Sequence, residues 1–278
     1  MSKLGRGSNL IHRTAVGVVA VPVLLFLAWV GGIAFVALVA VIVVLGLSEF
    51  YRLVEAGGEK PLSQLGLVGG LGLCLAVWCG EAHVGLTLVA GSILVAALFR
   101  RSLRDSLPAA ATTLAGLLWI GWLGSHLIAL RELPGPGQGD PYGGARYVWL
   151  VLSLTWCCDT GAYGVGVKWG RHRLLERVSP GKSVEGALGG IAASLGMAWI
   201  AGKWFAPFLE SADVIALGLG VGVVSQLGDL VESMVKRNAG VKDASHLIPG
   251  HGGVLDRFDS MFFSAPLVYL YLRFFVIP

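Results

Sequence analysis

Apolar runs long enough to cross a bilayer recur from one end of this chain to the other, and that recurrence restricts the fold more than any single motif. A crossing helix needs about 20 predominantly apolar residues. Runs of that order are read at 14–30, 31–49, 64–80, 83–99, 108–130, 146–167, 186–206, 212–233 and 259–276. The first two are nearly continuous. Gly31-Gly32 is the expected break, because one unbroken helix there would overshoot the membrane. Composition agrees: 55% of the residues are hydrophobic and 14% charged, whereas soluble domains carry about 25% charged residues. There is too little polar material to cover a water-facing surface. The fold class expected is all-α, a polytopic transmembrane helical protein of about nine membrane helices. The whole chain, 1–278, reads as a single integral membrane domain, with one set of helices in 1–131 and a second set, with polar loops, in 146–278.

Charge placement gives the orientation. With the N-terminus in the cytoplasm and the helices alternating, 17 of the 21 lysines and arginines fall on the cytoplasmic side. Only Arg131, Arg146, Lys203 and Arg273 fall on the other. Such an asymmetry is the positive-inside pattern. Lys3, Arg6 and Arg13 before an apolar run resemble a signal peptide, but the eight runs that follow favour a retained first helix. The net charge of +4 comes with no basic run interleaved with aromatics, so nucleic acid is not an expected partner. Cys74, Cys79, Cys157 and Cys158 form no Cys-x-x-Cys pair and lie in or beside apolar segments. They read as small buried residues, not as zinc ligands or disulfides. No repeat of 20–50 residues is visible. Two stretches, 168–185 and 234–259, are unusually polar, and the chemistry is expected there.

In the run from Gly228 to Arg237, Asp229, Glu232, Ser233 and Lys236 share one helical face. Asp229 follows an apolar segment, which sets a carboxylate at the membrane boundary. That position is costly and usually paired or functional. Glu232 with Lys236 can equally be a surface ion pair. Downstream come Lys242-Asp243, then His251-Gly252-Gly253, then Asp256-Arg257-Phe258-Asp259. Glycines let backbone N–H groups approach an anion. His251 and Lys242 can meet phosphate oxygens. Asp256 and Asp259 face one way as the last helix begins, where helix capping alone would also explain them. Taken together, hard oxygen ligands beside several cations suggest metal-assisted phosphate chemistry, with magnesium the natural ion.

The earlier stretch holds Ser179-Pro180-Gly181-Lys182-Ser183, then Glu185 and Gly186. It hints at a P-loop, but Glu176 stands where that pattern needs a glycine, and no strand is expected before it. Lys182 remains a good phosphate contact. Asp159 ends an apolar helix as a further carboxylate near the boundary; helix packing is its other reading.

The run Ser233-Met234-Val235-Lys236-Arg237, then Lys242-Asp243, then His251-Gly252-Gly253-Val254-Leu255-Asp256-Arg257-Phe258-Asp259 resembles the signature of the phosphatidate cytidylyltransferase (CDP-diacylglycerol synthase) family over 27 residues. Asp159 through Tyr163, and Ser179-Pro180 through Lys182, Glu185 and Gly186, resemble the family's upstream motifs. Where the family usually carries two lysines this chain has Gly181 then Lys182. The resemblance covers the C-terminal half.

That resemblance implies a reaction of CTP with phosphatidic acid to give CDP-diacylglycerol and pyrophosphate, at the cytoplasmic face of a bacterial-type inner membrane. It implies a divalent metal, Mg²⁺ or Mn²⁺, on Asp229 and Asp256, and leaves room for a monovalent cation. Catalytic roles fall to Asp229, Lys236, Asp256 and Asp259. Substrate contacts fall to Asp159, Lys182, Glu185, Ser233, Arg237, Lys242, Asp243, His251, Gly252, Gly253 and Arg257. The resemblance also suggests a homodimer in the bilayer, and Gly69, Gly70 and Gly72 would allow close helix packing. Two other readings are a CTP-dependent polyprenol or dolichol kinase, which would release CDP, and an anion transporter, which would be expected to show repeated halves.

Overall fold

A computed structural model of the chain describes residues 18–135, 140, 142–245 and 252–277. The described helices are α1 (Val18–Val30), α2 (Gly32–Ala56), α3 (Ser63–Trp78), α4 (Ala82–Leu98), α5 (Leu103–Glu132), α6 (Gly143–Trp169), α7 (Val184–Trp204), α8 (Ser211–Asn238) and α9 (Leu255–Tyr271). Five of them, α2, α5, α6, α7 and α8, are long and apolar enough to cross a membrane. Large apolar side chains such as Leu88, Leu98, Trp204 and Phe274 point outward, as they do where lipid is the solvent. The architecture is that of an all-α integral membrane protein.

α1 and α2 part at Gly31, the break expected from the sequence. Its φ of 69° is one that L side chains rarely adopt. Arg131, at the end of α5, closes the gap: its Nε donates to the Ala28 carbonyl at 2.6 Å and its Nη2 to the Trp29 carbonyl at 3.2 Å. These are carbonyls that the end of α1 leaves without helical partners. The core is shared by both halves of the chain, with Leu47 of α2, Ile120 of α5, Tyr147 and Leu150 of α6, and Phe262 of α9 fully buried. Gly69 and Gly70 pack inside the chain, against Val89 and Leu47 respectively.

Two features position the polar end of the molecule. At the far end, the start of α8 is closed by a capping box of Glu210 and Asp213, and the Tyr271 hydroxyl donates to Asp213 at 2.9 Å. The end of α9 is thereby tied to the start of α8, and the two helices run antiparallel. At the near end Gly228 lets them touch, since a Cβ there would stand 2.6 Å from the Asp259 carbonyl oxygen. Small residues permit this approach between membrane helices.

Between Trp169 and Val184 the polar stretch departs from helix. It forms an antiparallel pair, β1 (Arg173–Leu175) with β2 (Ser179–Ser183), in which Arg173 faces Ser183 and Leu175 faces Ser179. The sequence reading placed no strand before Lys182, and this hairpin corrects it. Gly181-Lys182 lies within β2 itself and does not follow a strand as in a P-loop, so the rejection of that motif stands. Ser183 ends the strand and caps α7, its Oγ accepting from the Gly186 N–H at 3.1 Å.

Candidate active site

Where the hairpin, α6, α8 and the start of α9 meet, they enclose a cavity of about 570 Å³. Asp159 of α6, Lys182 of β2, Asp229 and Lys236 of α8, and Asp256 and Asp259 of α9 all line it. Ser233, Arg237, Lys242, Asp243 and Arg257 complete the polar wall, and Tyr163 and Val167 of α6 add an apolar side. Helical spacing explains the first grouping, because Asp229, Glu232, Ser233 and Lys236 lie on one face of α8. The crossing at Gly228 explains the second, because it brings the first turns of α9 against that face.

The charges are arranged as alternating pairs. Lys182 Nζ lies 2.7 Å from Asp229 Oδ2. Lys236 Nζ bridges Glu232 Oε2 at 2.5 Å and Asp256 Oδ1 at 2.7 Å. Asp256 Oδ2 accepts from the backbone N–H groups of Ala244 at 3.1 Å and Gly253 at 2.7 Å. Asp229, Glu232 and Asp259 bring ligand oxygens within 4.8 Å of one another. Glu232 is 1% exposed, and its Oε1 has no hydrogen-bond partner among the described residues. Such an atom is expensive to bury. A hard cation against these oxygens would relieve that cost, so the donor set fits a divalent metal.

The family model for cytidylyltransferases matches residues 11–275. The chain belongs to the cytidylyltransferase family. Its similarity to curated members runs nearly end to end. It is 36% identical over 288 residues to the phosphatidate cytidylyltransferase of Synechocystis sp., covering 94% of this chain and 96% of that one. To the Bacillus subtilis phosphatidate cytidylyltransferase it is 32% identical, with 95% and 98% covered. To that of Brucella suis it is 36% identical, with 98% and 96% covered. The first half of the chain, where motifs are sparse, is therefore part of the same similarity.

Within this cytidylyltransferase not every expected site residue reaches the cavity. Glu185 does not line it. Its carboxylate instead accepts from the Arg171 N–H at 3.0 Å and meets His172 Nδ1 at 2.6 Å, so it holds the base of the hairpin. Gly252 and Gly253 stand behind Asp256: Gly252 has φ +81°, and the Gly253 N–H donates to the Asp256 carboxylate. Asp256 lies outside the group of three carboxylates formed by Asp229, Glu232 and Asp259. His251 lies outside the described residues. Glu232, not among the expected site residues, lies at the centre of the polar cluster. Its place on the Asp229 face was visible in the sequence; its burial was not.

Proposed function

We propose that this family member joins CTP to phosphatidic acid, giving CDP-diacylglycerol and pyrophosphate. The observation that carries the reading is the crowding of Lys182, Lys236, Arg237, Lys242 and Arg257 with six carboxylates around one cavity in a membrane-embedded chain similar to phosphatidate cytidylyltransferases. An oxygen of the lipid phosphate attacks the α-phosphorus of CTP. The new P–O bond forms as the bond to the β-phosphate bridging oxygen breaks, and pyrophosphate leaves. The nucleophile is already anionic, so the site needs no strong base. It must bring two polyanions together, and the cations lower that repulsion.

The charge distribution along the sequence supports a cytoplasmic N-terminus, about nine crossings and a cavity facing the cytoplasm of a bacterial inner membrane. CTP would then enter from water. Phosphatidic acid would enter from the bilayer along the side of Tyr163 and Val167. Lys182 and Lys236 each rest on carboxylates at about hydrogen-bonding distance, and each can turn to a phosphate oxygen. Asp229 with Glu232 and Asp259 would hold Mg²⁺ or Mn²⁺. Asp256 would join them once Lys236 turns to substrate. When bound, the metal offsets charge on the CTP phosphates. A homodimer in the bilayer remains part of the proposal, but Gly69 and Gly70 are occupied within the chain and would not form its interface.

The test is pyrophosphate release by purified protein given CTP, phosphatidic acid and Mg²⁺. Release that requires both substrates and stops with EDTA supports the reaction. Release of CDP without pyrophosphate would replace it with a lipid kinase.

A further inference from the structure

Glu49 lies near the end of α2, outside every motif quoted above, and is 2% exposed. A carboxylate buried in an apolar membrane helix needs strong partners. Its Oε1 accepts from Ser245 Oγ at 2.6 Å and from the Val254 N–H at 3.1 Å, and its Oε2 accepts from the Leu255 N–H at 2.7 Å. Ser245 precedes the segment 246–253, and Val254 and Leu255 follow it. One side chain from the first half of the protein thus joins both ends of the segment that leads into α9. Asp256 makes a parallel link, from Ala244 to Gly253. The N–H groups of Val254 and Leu255 are among those that the start of a helix leaves unpaired, at the positive end of its dipole. Gly253 makes room for the arrangement, since a Cβ there would run into the Glu49 carboxylate.

We propose that Glu49 is a positioning residue for the nucleotidyl transfer. It holds the start of α9 against α2, and through Leu255 it fixes the adjoining Asp256 carboxylate on Lys236. Glu49 does not line the cavity, so it acts through these neighbours and not on the reacting atoms. The inference rests on the reaction proposed above. It has a one-sided consequence. The part of the site that Glu49 steadies is the charged wall of α8 and α9, which meets the CTP phosphates. The apolar wall of Tyr163 and Val167 belongs to α6, a different helix.

The experiment is steady-state pyrophosphate release by the purified full-length chain, with CTP and phosphatidic acid varied in turn. It compares wild type with Glu49→Gln and Ser245→Ala. Glu49→Gln keeps the shape but turns an –NH₂ group toward a backbone N–H. Its kcat/KM for CTP should fall about tenfold or more, with KM for phosphatidic acid within about twofold of wild type. Ser245→Ala removes the hydroxyl that donates to Glu49, outside the membrane helices, and should show the same asymmetry at about threefold. It carries the test if Glu49→Gln folds poorly. Wild-type kinetics in both variants would overturn the proposal. So would an equal loss for both substrates that tracks the amount of folded protein. A wild type that releases no pyrophosphate would overturn the reaction and this inference together, whereas an active wild type with unaltered variants would overturn the inference alone.

Discussion

The Lys182 ammonium lies 2.7 Å from Asp229 Oδ2, which closes the hairpin of one polar stretch onto the helix that leads into the other. On the proposed mechanism Asp229 would hold the cation and Lys182 would meet a substrate phosphate. Asp229→Asn keeps the volume and removes the charge. Its kcat should fall about 100-fold or more. Gel filtration in detergent should show unchanged folded protein, and near-normal turnover would remove Asp229 from the metal site.

Lys236 compensates two carboxylates at once, and one of them, Glu232, is almost wholly buried. Removing one partner of such a cluster leaves uncompensated charge, which typically costs about 3–5 kcal/mol. Lys236→Met should therefore lose turnover and also unfold at least about 6 °C lower. Thermal unfolding in detergent measures this, and an unchanged midpoint would mean that Lys236 is not the counter-charge of the cluster.

Gly228 sets the distance between α8 and α9 beside the carboxylates. In Gly228→Ala the added methyl would meet the Asp259 carbonyl oxygen at 2.6 Å, and the helices must separate, at about 1–3 kcal/mol. The Mg²⁺ concentration that gives half-maximal velocity should rise about tenfold, because the proposed ligands come from both helices. A variant with wild-type Mg²⁺ dependence would show that the crossing does not set the ligand spacing.

Glu185 is off the cavity wall, and its bonds go to Arg171 and His172 at the base of the hairpin. Glu185→Ala should loosen the strand that carries Lys182. KM for CTP is expected to rise about three- to tenfold, with kcat at saturation within about twofold. Kinetics with CTP varied would reveal it. A kcat loss as large as that of Asp229→Asn would instead make Glu185 a direct participant.

Much of the site was legible because its residues are close in sequence. Asp229, Ser233 and Lys236 recur at helical spacing, and Asp256 and Asp259 follow a glycine pair, so the shared face could be read without coordinates. The break at Gly31 was legible for a similar local reason, the length of an apolar run against the bilayer thickness. The roles of Glu185 and Glu49 were not. Glu185 sits inside a recognisable motif that implies a substrate contact, yet its partners Arg171 and His172 are brought to it only by the turn of the hairpin. Glu49 follows a long apolar run in α2, a cost that singles it out, but nothing near it in the chain names the start of α9 as its partner.

By itself the sequence determined the solvent of this protein, the two stretches where polar chemistry concentrates, and the cytidylyltransferase pattern in the second of them. Apolar length, charge placement and motif spacing are properties of consecutive residues, and they survive without a fold. Only the tertiary structure decided which distant groups meet: Lys182 on Asp229, Lys236 on Asp256, and Glu49 on the first turn of α9. The reason is that these pairs join separate elements of the chain, and their strength comes from burial, which no single segment can create alone.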